Sequence, residues 1–118
     1  MTGSVLLIED EPHIIEAVSF ILERDGWTVS AHSDGETAVE RALTLDPEVI
    51  ILDAMLPGRT GFEILKDLRG HPKMANRPVL MLTAKGQAKD REAAGASRFM
   101  TKPFANAEVL DAVRSLAG

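Results

Sequence analysis

The sequence predicts an α/β fold in which five parallel strands form one doubly wound sheet, with helices on both faces. Residues 5–8 and 49–52 are short, unbroken apolar runs rich in β-branched residues, as expected of strands that are buried on both faces of a parallel sheet. Segments with apolar residues at helical spacing alternate with such runs along the chain. Because neighbouring parallel strands need a crossover connection, this alternation favours a parallel sheet covered by helices.

The first half of the chain carries local signals for its element boundaries. Pro12 indicates the start of the first helix, because a proline at the first helical position loses no hydrogen bond, and the Asp25-Gly26 pair ends that helix. A second strand with alternating apolar residues follows. Ser33 lies three positions before Glu36, which is the spacing of a capping box, and predicts the start of a second helix.

The second half of the chain continues the same alternation. A Pro57-Gly58 turn leads into a third helix, residues 79–82 form the fourth apolar run, and Phe99 lies in the fifth strand. The last helix has an apolar face made by four residues: Val109, Leu110, Val113 and Leu116. Between the fourth and fifth strands, residues 86–95 offer only alanine as apolar side chains. We therefore expect a shortened fourth helix there.

Composition indicates one domain over residues 1–118. A chain of 118 residues, 45% of them hydrophobic, has enough apolar material for one core. The lack of cysteine excludes thiolate metal sites and thiol catalysis, and a cytoplasmic location is the simplest expectation. The longest apolar runs have four or five residues, which is too short for a membrane span or for the apolar region of a signal peptide. A net charge of -5 without a basic run argues against direct nucleic-acid binding.

Polar side chains follow four of the predicted strands where each strand ends. Glu9 and Asp10 follow the first, Asp53 the third, Thr83 the fourth and Lys102 the fifth. In an open parallel sheet these ends meet at one edge, where ligands bind. Two unit charges about 4 Å apart repel by roughly 4 kcal/mol at an effective dielectric near 20, so three clustered carboxylates need a proton or a cation. We expect a hard divalent ion.

Four segments at these strand ends resemble the receiver domain of bacterial two-component response regulators. They are Ile-Glu-Asp-Glu at 8–11, Leu-Asp-Ala-Met-Leu-Pro-Gly at 52–58, Leu-Thr-Ala at 82–84 and Thr-Lys-Pro-Phe at 101–104. The similarity extends over residues 5–116 and is closest in form to the chemotaxis regulators. It implies a flavodoxin-like (βα)5 fold.

The resemblance also implies a phosphorylation chemistry. Asp53 would be the nucleophile that accepts a phosphoryl group, as an acyl phosphate, from a histidine kinase or a histidine phosphotransfer protein. Asp10, Asp53 and the backbone carbonyl of Met55 would hold Mg²⁺, with Glu9 acting through water. Such a protein catalyses its own phosphorylation and a slow autodephosphorylation, and we expect no turnover of outside substrates.

The remaining residues of the motifs would convert phosphorylation into a signal. Lys102, aimed by a cis peptide bond before Pro103, would pair with a phosphoryl oxygen. Thr83 would follow the phosphoryl group inward and leave room for Phe99 to turn in behind it, although Phe99 as plain core is an alternative. The altered face would then bind a downstream effector or an output domain, or form a phosphorylation-dependent homodimer.

Other functions fit parts of the pattern. A flavin or nucleotide binder requires a loop rich in Gly and Ser after the first strand. In this chain Glu9 and its acidic neighbours occupy that place and would repel the phosphate of the ligand. A hydrolase with an aspartyl-phosphate intermediate would place a second acid where Met55 stands. A receiver-like module that binds partners without phosphorylation is a further alternative that the sequence leaves open.

Only 19 positions separate Thr83 from Lys102, fewer than is usual for receivers, which leaves the mode of dimerisation open.

Overall fold

The computed structural model describes residues 3–84 and 95–118, and in them the five predicted strands form a single sheet. The strands are β1 (Ser4–Ile8), β2 (Thr28–His32), β3 (Val49–Asp53), β4 (Val79–Thr83) and β5 (Arg98–Thr101). All neighbours are parallel, in the order β2-β1-β3-β4-β5. The predicted doubly wound α/β fold is confirmed.

Helices cover both faces of this sheet. In the described part of the chain they are α1 (Pro12–Arg24), α2 (Ala38–Leu45), α3 (Gly61–Gly70) and a C-terminal helix (Asn106–Ala117). The first and the last pack on one face, while α2 and α3 pack on the other. No helix in these ranges is long and apolar enough to cross a membrane. The shortened fourth helix that we expect after β4 lies outside the described residues.

The central strands are buried on both faces. In β1, Val5 and Leu7 point toward α1, whereas Leu6 and Ile8 point toward α2 and α3, and none is more than 1% exposed. β3 and β4 alternate in the same way. Because successive side chains of a strand point to opposite faces, a strand between two helix layers must be apolar throughout. Each buried Leu or Ile contributes about 1.5–3 kcal/mol, so these strands form a rigid base for the residues that follow them.

The start of the second helix differs from the prediction. Ser33 and Glu36 do not form a capping box there. A turn of 3₁₀ helix (Gly35–Thr37) precedes α2, and the side chain of Asp34 caps this turn by accepting a hydrogen bond from the N–H of Glu36 at 3.0 Å. Asp34 lies two positions before Glu36, whereas Ser33 lies three positions before it. In the tight 3₁₀ turn the carboxylate of Asp34 is therefore the acceptor that reaches the N–H of Glu36.

Candidate functional site

Strand register brings the acidic side chains together. Ile8 of β1 lies beside Leu52 of β3, so the residues that follow them, Glu9 and Asp53, reach the same edge of the sheet. One carboxylate oxygen from each of Glu9, Asp10 and Asp53 lies within 4.8 Å of the others. Asp10 is exposed, whereas Glu9 and Asp53 are 0% and 3% exposed. The structure thus gathers the three predicted carboxylates into one partly buried cluster.

The backbone that follows Glu9 holds its carboxylate in place. Oε2 accepts hydrogen bonds from the N–H groups of Asp10 at 3.1 Å and Glu11 at 3.2 Å. Oε1 faces the ammonium of Lys102 at 3.4 Å and has no hydrogen bond in the described part of the chain. Burial, followed by the neighbouring Asp53 carboxyl, raises the pKa of Glu9 to about 7, although the N–H of Glu11 and the charge of Lys102 act in the opposite direction.

Lys102 lies between two of the carboxylates. Its Nζ is 3.4 Å from Oε1 of Glu9 and 3.2 Å from Oδ1 of Asp53. Burial lowers the pKa of Lys102, but the charges of Asp53 and Glu9 outweigh this effect and raise it overall. The backbone N–H of Lys102 donates to the carbonyl of Thr83 at 2.7 Å, and the peptide bond to Pro103 is cis. The side chain is 25% exposed, so an incoming anion can reach it.

The loop after Asp53 also contacts its carboxylate. The N–H of Met55 donates to Oδ1 of Asp53 at 3.1 Å, while the Met55 side chain is 59% exposed at the mouth of the site. The loop leads into α3, where Thr60 and Glu63 form a capping box. Sequence reasoning missed this box, although the Thr-x-x-Glu spacing at 60–63 is its signal.

The two predicted switch residues lie on β4 and β5. Thr83 is fully buried, and its Oγ1 has no hydrogen-bond partner among the described residues. A buried hydroxyl without a partner costs about 1–3 kcal/mol, which an acceptor arriving from the site would relieve. Phe99 is partly buried against the core on the α2 and α3 face. Thr83 ends β4, whereas Phe99 is the second residue of β5 and lies beside Met81. The motion of both residues stays a prediction.

The donor set fits a hard divalent cation. Within residues 3–84 and 95–118, three carboxylates meet one ammonium, so the cluster of these groups keeps excess negative charge when all three carboxylates are ionised. Its side-chain ligands are all oxygen, which Mg²⁺ prefers over nitrogen or sulfur. Oδ1 of Asp53 is already oriented by Met55 and Lys102, so its carboxylate presents a fixed edge. The arrangement thus has the oxygen ligands and the negative charge that a divalent cation requires.

Known proteins share both the sequence and the fold. A family model for the response regulator receiver domain matches residues 5–114. PhoP of Bacillus subtilis, the alkaline phosphatase synthesis transcriptional regulatory protein, is 40% identical over 98% of this chain and 49% of PhoP. This chain spans about half the length of the curated relatives that it matches.

Solved structures agree with this match. The chemotaxis response regulator CheY4 of Vibrio cholerae has a TM-score of 0.89 at 30% identity, with 98% of this chain and 99% of that chain covered. The receiver domain of the sensor histidine kinase PA1611 of Pseudomonas aeruginosa has a TM-score of 0.86 at 30% identity, with 100% and 99% covered, and it holds a magnesium ion in its active-site cleft. These matches confirm the resemblance of the four motifs. The chain belongs to the response regulator receiver domain family.

Proposed function

We propose that this protein is a phosphorylation-activated signalling switch that accepts a phosphoryl group on Asp53 in a Mg²⁺-dependent reaction. The observation that carries this proposal is the position of the Asp53 carboxylate. It is nearly buried, its Oδ1 is 3.2 Å from the Lys102 ammonium, and it shares a cluster with Glu9 and Asp10. A carboxylate held this way has a fixed direction of attack and a cation ready for the charge of the incoming group.

The transfer follows from these contacts. An oxygen of Asp53 attacks the phosphorus of a phosphohistidine, an O–P bond forms, the P–N bond breaks, and the histidine nitrogen leaves with the bonding electrons. Lys102 pairs with an oxygen of the incoming phosphoryl group, since its ammonium already lies 3.2 Å from Oδ1 of Asp53. Asp10, Asp53 and the Met55 carbonyl, with Glu9 acting through water, would hold Mg²⁺, which when bound neutralises charge on the phosphoryl oxygens.

The signal would leave the site through β4. Thr83 is the buried hydroxyl at the end of this strand, and a phosphoryl oxygen on Asp53 would offer its Oγ1 the acceptor it lacks among the described residues. Movement of Thr83 would make space for Phe99 on the neighbouring strand to turn inward. The face that changes would then bind its target.

Partners follow from the family. The donor is a histidine kinase or a histidine phosphotransfer protein, and the reader is a downstream effector or an output domain in a longer chain. A homodimer formed on phosphorylation is a further way to use the altered face. Residues 1–118 act as one receiver domain in the cytoplasm, and this domain itself makes no contact with nucleic acid or membrane. No outside substrate is turned over.

Mass spectrometry of the intact protein tests the proposal. Wild type, Asp53→Asn and the exposed control Glu40→Gln are each mixed with Mg²⁺ and phosphoramidate. We expect the mass of one phosphoryl group on wild type and on Glu40→Gln, and none on Asp53→Asn. Phosphorylation of Asp53→Asn at the wild-type level would show that another residue is the acceptor.

A second candidate is a receiver-like module that binds partners without phosphorylation. It is favoured by the contact of Lys102 with both Glu9 and Asp53, which compensates part of the buried charge without a metal or a phosphoryl group. An unshifted mass of wild type under these conditions, together with unchanged folding, would support this candidate instead.

A further inference from the structure

The loop that follows the phosphoacceptor is anchored at both of its ends. We call residues 54–60 the site loop, since it carries Met55. The N–H of Ala54 donates to the Leu82 carbonyl at 2.9 Å, and the Ala54 carbonyl accepts from the N–H of Gly61 at 2.8 Å. A Cβ on Gly61 would lie 2.2 Å from the carbonyl oxygen of Asp53. The loop therefore closes on itself through backbone contacts that leave no room for adjustment at these ends.

A glycine from a different part of the chain supports the middle of the site loop. Gly35, in the 3₁₀ turn before α2, is buried. A Cβ built on it would lie 2.9 Å from the carbonyl oxygen of Pro57 and 3.1 Å from both the nitrogen and the carbonyl oxygen of Arg59. All three neighbours are backbone atoms, so no side chain can rotate away to make space. The two loops pack backbone against backbone.

The outer part of the site loop cannot retreat freely from Gly35. The guanidinium of Arg59 pairs with Asp67 at 2.7 Å and also donates to the Glu63 carbonyl at 3.4 Å, which ties this end of the loop to α3. Gly58 has a φ of 87°, a conformation that other residues rarely adopt. If the loop is displaced at Pro57, the residues between Pro57 and Asp53 must therefore take up the shift.

We infer that Gly35 is a positioning residue for the metal-binding side of the phosphorylation site. A methyl group at position 35 would push residues 57–59, and because Ala54 and Gly61 are fixed, the shift falls on Met55. Met55 orients Asp53 through its N–H, and its carbonyl faces the metal in the proposed function, on which this inference rests. Gly35→Ala should therefore weaken Mg²⁺ binding by about tenfold, as the loss of support around a metal ligand commonly does.

The matched control is Gly70→Ala. Gly70 ends α3 on the exposed side, and a Cβ built there has no heavy atom within 4 Å. The dissociation constant of Mg²⁺ is measured by calorimetry for wild type, Gly35→Ala and Gly70→Ala, with thermal unfolding recorded on the same samples. Phosphorylation by phosphoramidate is then followed as a function of Mg²⁺ concentration. The expected result is a tenfold weaker constant for Gly35→Ala only, with the phosphorylation rate restored at saturating Mg²⁺.

A second variant separates positioning from general damage to the fold. Arg59→Ala frees the outer end of the site loop, so Gly35→Ala combined with Arg59→Ala should recover Mg²⁺ affinity to within about twofold of Arg59→Ala alone. The double variant also serves if Gly35→Ala by itself does not fold. Equal Mg²⁺ affinity in folded Gly35→Ala and wild type, or no recovery in the double variant, overturns the inference. Absence of Mg²⁺ binding by wild type would instead overturn the proposed function.

Discussion

Glu9 shows how one side chain can serve two parts of the site. One of its oxygens is held by the N–H groups of Asp10 and Glu11, and the other faces Lys102. The shorter side chain of an Asp at this position would reach less far toward the lysine. The longer side chain of Glu9 is thus able to contact Lys102 while Lys102 also contacts Asp53.

Substitution of Thr83 tests whether phosphoryl transfer and the response to it can be separated. Its hydroxyl is buried and lies one residue past the Leu82 that pairs with Asp53, so it belongs to the site without contributing to the acidic cluster. Thr83→Ala should still accept phosphate at within about threefold of the wild-type rate, because the nucleophile and Lys102 are intact. The phosphorylation-dependent shift of the Phe99 resonance in NMR spectra should be largely lost. Complete loss of phosphorylation would show that Thr83 takes part in the transfer.

At the scale of elements, short polar contacts decide where the helices begin. Thr60 and Glu63 satisfy each other's backbone groups at the start of α3. Their bonds lower the pKa of Glu63, chiefly through the N–H of Thr60. The start of α3 is therefore fixed directly after the site loop, so the geometry of that loop depends on the position of the helix.

The assignment of Asp34 as the cap before α2 can be tested by comparing it with Ser33, the residue that the sequence pattern predicted as the cap. Asp34 accepts the N–H of Glu36, and a second oxygen of the same carboxylate accepts the hydroxyl of Thr37 at 3.2 Å. Asp34→Ala should lower the free energy of unfolding by about 1 kcal/mol, the usual cost of losing an N-cap. Ser33→Ala, the matched control, should change it by less than about 0.5 kcal/mol. Chemical denaturation measures both, and a larger effect for Ser33→Ala would restore the original assignment.

For the molecule as a whole, the acidic cluster links stability to pH. An ordinary Glu has a pKa near 4.5, whereas that of Glu9 is about 7 in the folded protein. Between these values the folded state binds more protons than the unfolded state, so stability falls as pH rises. The metal-free protein should lose on the order of 2–3 kcal/mol across this window. The lowered pKa of Asp25, caused by Arg114, acts in the opposite direction only at more acidic pH.

Thermal unfolding at about pH 5 and about pH 8 in the presence of a chelator measures this dependence. Glu9→Gln is the control and should show little of it, because it cannot ionise. Millimolar Mg²⁺ should raise the melting temperature more at the higher pH, where the carboxylates are free of protons. A melting temperature that is independent of both pH and Mg²⁺ would mean that the carboxylates do not act as a cluster in solution.

Much of the fold could be read from local patterns. The central strands were predictable because burial on both faces demands unbroken apolar runs, and the start of α1 was predictable because Pro12 fits only the first turn of a helix. The carboxylates were predictable as a group because parallel strands end at one edge. The cap at Asp34 was not predictable, since neighbouring Ser and Asp side chains can both cap, and the turn geometry chooses between them.

The sequence by itself determined the succession of strands and helices along the chain and the residue types at the strand ends, because both follow from short-range periodicity and residue type. Only the tertiary structure decided that Glu9 faces Lys102, 93 positions away, and that Gly35 supports the loop after Asp53. Such contacts depend on register and on the distance between packed backbones. These are set by the sheet and helices together, and no local pattern encodes them.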